Sequence, residues 1–185
     1  QREVFRMAET ESTDMEQGRV IEWLRQAVKL LLKAGKPEYY HAVHFSPGAD
    51  CLRAICGQIQ RAQHSLDICV FTISDNRITK EIKAAHRRRV NVRVLTDNEK
   101  LYDRGSDIEE MAEFGIPVRV DHSAYHMHHK YALVDKMVLL TGSYNWTRSA
   151  AEYNEENILI TEDPKLYRPY QKAFDELWGQ MKDFS

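Results

Sequence analysis

The sequence predicts an α/β fold: a mixed, largely parallel β-sheet flanked by helices on both faces, with an extra helix at the N-terminus. Three observations predict it. Apolar or alternating runs at 41–45, 66–71, 91–96 and 117–120 are separated by stretches whose apolar residues recur every three or four positions. Strands alternating with helices are the pattern of crossover connections, which favour parallel neighbours. The runs 131–134 and 137–140 are near-continuously apolar, as strands covered on both faces are.

With 185 residues the chain suits one domain and an appendage. Residues 1–37 read as a polar lead plus an amphipathic helix, and 38–185 as a single domain. The lead is acidic, with Glu3, Glu9, Glu11, Asp14 and Glu16. From Gly18 to Lys36, Val20, Leu24, Ala27, Val28, Leu31 and Leu32 form a stripe at helical spacing, stopped by Gly35-Lys36-Pro37. This helix either packs on the domain or meets a membrane surface or partner.

His41–Phe45 alternates as a first strand, ended by Ser46-Pro47-Gly48. Leu52, Ile55, Ile59 and Ala62 share one face of a helix over 49–62. Strands at 66–71 and 91–96 bracket a helix over 78–88, and a short helix over 106–114 ends at Gly115. Asn157–Thr161 is a late strand. Asp163-Pro164 then opens a final helix whose Tyr167, Tyr170, Phe174, Leu177, Trp178 and Met181 are core or dimer contacts.

A formal net charge of −2 gives no global pull toward polyanions, so any polyanion site is a local patch. Cys51, Cys56 and Cys69 lack metal-site spacing, and an odd count argues against a disulfide scaffold. Without a signal-peptide pattern or an eighteen-residue apolar run, the expected location is the cytoplasm. Gln1 in the first position leaves room for an upstream anchor.

The chemistry concentrates in 125–146. His128 and Lys130 are two apart, so on a strand they project to one side, roughly 6–7 Å apart along the chain. Asp135-Lys136 reads as a tight turn between two buried strands. Gly142 allows close backbone approach, and Ser143 and Asn145 again share a parity. An imidazole, an ammonium and small hydrogen-bond donors at a strand end suit a phosphate.

The pattern His128-x-Lys130-x4-Asp135-x6-Gly142-Ser143-x-Asn145 resembles the HKD signature of the phospholipase D superfamily. The stretch Val43–Trp178 is similar to its small single-motif members, the bacterial phospholipase-D-like endonucleases and the mitochondrial Zucchini-type nucleases. The resemblance implies a phospholipase D-like sandwich. Zucchini-type proteins carry a cysteine and histidine zinc element that has no counterpart here, which favours the bacterial branch.

Cleavage of a phosphodiester through a covalent intermediate needs a nucleophile on one side of phosphorus and an acid on the other. Histidine serves in both forms near neutrality. One His128 cannot stand on both sides, so two copies of the chain are expected to share one site as a homodimer, as the resemblance also implies. His128 is then nucleophile and acid. Lys130 and Asn145 hold phosphoryl oxygens with help from Ser143. Asp135, an odd number of residues from His128, is expected to orient groups behind the site. The resemblance gives Glu156 the position of an acid that hydrogen-bonds the histidine ring. The mechanism calls for no metal and no other cofactor, and His126, His128 and His129 lack the carboxylate or cysteine partners of a metal set.

For substrate, the run Lys80, Lys83, His86, Arg87, Arg88, Arg89 and Arg93, joined by Arg77, Arg104 and Arg148, reads either as a phosphate-tracking groove or as a solvated helix end. Tyr125, Tyr144 and Trp146 are candidate base-stacking residues, with Trp146 equally readable as core. The leading expectation is an endonuclease for single-stranded DNA or RNA. The alternatives are a phospholipase acting on a lipid such as cardiolipin, and a binding module without turnover.

Overall fold

The computed structural model describes residues 17–33, 38–101, 103 and 105–184. The acidic lead, the Gly35-Lys36-Pro37 stop and Arg104 lie outside the described residues. The chain divides into two compact units, Gln1–Glu38 and Tyr39–Ser185. In the first, helix α1 (Gln17–Lys33) carries the Leu24, Val28, Leu31 stripe.

The second unit is built on one sheet of eight strands in the order β1-β7-β6-β5-β2-β3-β4-β8. The strands are β1 (His41–Ser46), β2 (Ser65–Val70), β3 (Asn91–Thr96), β4 (Val118–Val120), β5 (Lys130–Val134), β6 (Val138–Gly142), β7 (Glu156–Thr161) and β8 (Lys182–Asp183). Only β2–β3 and β3–β4 are parallel; β1–β7, β7–β6, β6–β5, β5–β2 and β4–β8 are antiparallel. The fold is the expected mixed α/β sandwich, but its sheet is mostly antiparallel rather than largely parallel. Two causes misdirect the sequence reading. The Asp135-Lys136 turn is too short for a parallel crossover. The apolar runs of β5 and β6 reflect helical cover on both faces, which does not depend on strand direction.

On one face lie α2 (Asp50–Arg61), α3 (Asn76–Arg87), α4 (Ile108–Glu113) and α5 (Arg148–Glu152). Leu52, Ile55 and Ile59 of α2 and Ile78 and Ile82 of α3 pack with Leu66, Ile68, Val92, Val94, Ala132 and Ile158 of the sheet. On the other face α6 (Pro164–Gln180) lays Tyr167 and Phe174, followed by Met181, against Cys69, Leu95, Tyr131, Leu133 and Leu139. Each buried aliphatic or aromatic side chain contributes about 1.5–3 kcal/mol from removal of apolar surface. Caps fix the helix starts: Asp75 accepts the Arg77 amide at 3.0 Å, and Asp163 accepts the Lys165 amide at 2.8 Å. The final helix is thus core, as one of the two sequence readings has it.

Candidate active site

Strand direction decides which residues meet. β5 runs antiparallel to β2, pairing Lys130 with Val70 and Val134 with Leu66. The start of β5 therefore lies at the C-terminal ends of β2 and β3, the sheet edge where α/β folds form ligand crevices. His128 precedes β5 in the irregular segment 121–129. Buried Asp97, just past β3, holds that segment: its Oδ2 accepts the Met127 amide at 2.8 Å and its Oδ1 the Glu99 amide at 2.9 Å. Phe71, just past β2, donates its amide to the His129 carbonyl at 2.8 Å.

Lys130 Nζ stands 3.2 Å from Nδ1 and 3.3 Å from Nε2 of His128, and donates to the His128 carbonyl at 2.9 Å. The Phe71 ring backs both groups. Its centroid is 4.5 Å from that of the His128 ring, with the planes at 61°, and 5.3 Å from Lys130 Nζ. Lys100 Nζ lies 5.2 Å from the same centroid. Partial burial and then the Lys130 charge hold the His128 pKa below the ordinary histidine value, favouring the neutral ring. Burial also lowers the Lys130 pKa, while the Glu156 carboxylate pulls it the other way.

Gly142 closes β6 where no side chain fits: a Cβ there would fall 2.0 Å from the Asn157 carbonyl oxygen. That oxygen accepts the amides of Ser143 at 3.1 Å and Tyr144 at 3.4 Å, and the Asn157 amide donates to Ser143 Oγ at 3.2 Å. The register of Tyr131 with Thr141 brings the residues after Gly142 level with those before Lys130. Ser143 is exposed there. Asn145 Oδ1 is buried without a partner among the described residues, an acceptor free to orient a donor. Arg148 is exposed at the start of α5, its Nη2 3.4 Å from Asn76 Oδ1.

Four expectations need correction. Asp135 is not behind the phosphoryl site. It lies at the far end of β5, five residues or about 16 Å along the strand from Lys130. There its carboxylate accepts the amides of Gln63 at 2.9 Å, His64 at 2.7 Å and Ser65 at 2.9 Å. Burial pushes its pKa up, but the hydrogen bonds outweigh it and the net shift is downward.

Arg87 and Arg88 stand at that same far end, because α3 leads into the start of β3. Arg87 lies over the Phe114 ring at 4.8 Å, and Arg88 Nη2 caps α2 through the Ile59 carbonyl at 3.0 Å. Arg93 forks onto Asp67 at 2.7 Å, so the basic run is no continuous groove beside His128.

Tyr144 is a core residue, buried with Ile73 and Ile158, so it does not stack on a base, and Trp146 takes the core reading of its two. Glu156 accepts the Asn154 side-chain amide at 3.4 Å, and its charge acts on Lys130. Finally, His126 does have carboxylate neighbours: among the described residues, ligand atoms of Asp97, Glu99 and His126 lie within 4.8 Å of one another.

Phe71 and Asp97 are the functional candidates that motif spacing misses. Their signal is positional: each directly follows the last residue of a central strand at the crevice edge.

A histidine and a lysine converge on one exposed spot, with asparagine and serine level with them, an arrangement whose charge and donors suit an anionic group. The chain belongs to the family of the "Cardiolipin synthase, PLD-like domain", whose model matches residues 55–178. It is 46% identical over 121 residues to the mitochondrial cardiolipin hydrolase of Chlamydomonas reinhardtii, covering 65% of this chain and 54% of that protein. To the mitochondrial cardiolipin hydrolase of Xenopus laevis it is 48% identical over 123 residues, 66% of this chain and 59% of that one. The chain thus spans a little over half the length of these curated relatives. Among solved structures, the phospholipase D family member Nuc from Salmonella typhimurium superposes with a TM-score of 0.74 at 28% identity, covering 80% of this chain and 99% of Nuc. These relatives overturn the cytoplasmic expectation, since they are named as mitochondrial, and the lean toward the bacterial branch goes with it.

Proposed function

We propose that this chain is the catalytic domain of a mitochondrial phosphodiesterase that cleaves a phospholipid of the cardiolipin class through a phosphohistidine, with two copies of the chain sharing one site. The observation that carries the reading is Lys130 Nζ at 3.2 Å and 3.3 Å from the two ring nitrogens of His128. One anionic phosphoryl group placed there meets an ammonium and a nucleophile together.

His128 of one copy attacks phosphorus and the P–O bond to the leaving alcohol breaks. The protonated His128 of the second copy gives its proton to the leaving oxygen. Water then attacks the phosphohistidine, the second histidine takes the water's proton, and the first is released. Lys130 holds the phosphoryl oxygens, with Ser143 and Asn145 level with it. Histidine and lysine supply nucleophile, acid and charge from the protein itself, so the reading calls for no metal. The lipid substrate is supported by the names of the relatives and by the distance of Arg87 and Arg88 from the site.

A second reading, cleavage of single-stranded nucleic acid, draws on the exposed Tyr125, 84% accessible, and on Lys100 beside the Phe71 ring. The test incubates wild type and His128→Ala with cardiolipin vesicles, single-stranded RNA and single-stranded DNA in EDTA. Release of phosphatidic acid by wild type alone supports the lipid reading. Cleavage of nucleic acid with intact lipid replaces it with the second.

A further inference from the structure

Beside His128 opens a cleft of about 540 Å³, between the irregular segment 121–129 and the end of α6. Met127, Leu177 and Met181 form its apolar lining, and His122, His126, His128, His129 and Asp121 line it as well. No lysine or arginine lines it among the described residues. The Asp121 carboxylate is buried and already accepts the Asn98 amide at 2.9 Å and Ser123 Oγ at 3.0 Å. The cations of the site, Lys130 and Lys100, gather instead around Phe71.

Because His128 forms part of the wall, an occupant of the cleft is continuous with the phosphorus that His128 attacks. It is therefore one of the substituents on the phosphate. A nucleic-acid strand would bring a further phosphate there, and such a strand needs a cation to neutralise each charge. Among the described residues the cleft offers no lysine or arginine, and it sets the Asp121 carboxylate beside imidazoles, which carry no permanent charge. Two thioethers and a leucine suit a flexible alkyl chain, because methionine adapts to irregular apolar shapes. The volume lies in the range of sites that bury a small-molecule-sized group.

We infer that this cleft is the acyl subsite: it takes a fatty-acyl chain of the phospholipid whose phosphate sits at His128. This rests on the lipid reading above and adds which part of the protein reads the chain.

The experiment measures kcat/KM on monomeric phosphatidylglycerols of increasing acyl length, with methyl p-nitrophenyl phosphate as an acyl-free reporter. Wild type should gain about fourfold for each methylene buried until the cleft is full. Leu177→Gln and Met181→Gln should flatten that climb while their reporter rates stay within twofold of wild type. Gln180→Trp, an exposed position on the cleft rim, should flatten it too without touching the core. A climb unchanged in these variants, or no climb in wild type, would overturn the subsite and leave the lipid reading standing. If wild type cleaves the reporter and single-stranded RNA but neither phosphatidylglycerol nor cardiolipin, both fall together.

Discussion

Phe71 and His128 meet edge to face, their ring centroids 4.5 Å apart and their planes at 61°. The contact fixes a ring that is otherwise exposed, and the same phenyl face receives Lys130 and Lys100. An aromatic pair of this kind is worth about 0.5–1.5 kcal/mol. Phe71→Leu should therefore lower kcat about tenfold with little change in KM or melting temperature, and Phe71→Tyr should restore most of it. A Phe71→Leu enzyme with full kcat would show that the imidazole needs no wall.

The lowered His128 pKa makes a signed prediction for pH. A nucleophilic histidine must be neutral, so the acid limb of kcat/KM should lie below the ordinary histidine value. Burial is the larger cause and survives mutation; the Lys130 charge does not. In Lys130→Met the His128 midpoint, followed by NMR of its ring protons, should move to higher pH. A midpoint unmoved or lower would remove Lys130 as an electrostatic neighbour.

Asp135 separates two roles that motif spacing cannot. Three backbone amides converge on its carboxylate at the end of the sheet away from His128. Asp135→Ala should cost about 1–3 kcal/mol of stability, by leaving those donors unpaired, with catalysis per folded molecule within a few-fold of wild type. Its folded pKa is depressed, so its contribution is complete above the unfolded carboxylate value of about 3.9 and is lost as pH falls through the folded one. Denaturant melts at pH 7 and in acid check both parts.

At Gly142 any side chain collides with the Asn157 carbonyl, a backbone atom that cannot swing aside. Gly142→Ala should cost about 3 kcal/mol or more, since β6 and β7 must part where Ser143 is held. A melting temperature like that of wild type would contradict the close approach.

How much of this was legible in the sequence varies by element and for physical reasons. A period of two put Lys130 on the side of His128 whatever the strand pairs with, although only Lys130 lies on β5 and His128 sits in the irregular segment before it. The same rule misled for Asp135: parity reports a face, whereas its role follows from which end of β5 it occupies. Arg87 and Arg88 failed likewise, since a dense run on the chain says nothing about the sheet end to which a crossover delivers it. Tyr144 looked like a surface ring because it neighbours the motif, but its parity turns it into the α2 and α3 face. Strand direction was the weakest inference, because cover by α6 on one face and α2 and α3 on the other makes antiparallel strands as apolar as parallel ones. The short α5, capped by Thr147, and the two-residue β8 carry too few residues to show a period.

The central claim is that His128 becomes covalently bonded to phosphorus. The most direct measurement quenches wild type and His128→Ala during turnover of cardiolipin labelled in its phosphate, digests the chain and maps the label. The account predicts an acid-labile, base-stable adduct on the peptide bearing His128, absent from His128→Ala. Turnover with no adduct at the earliest times, or an adduct on another residue, would contradict it.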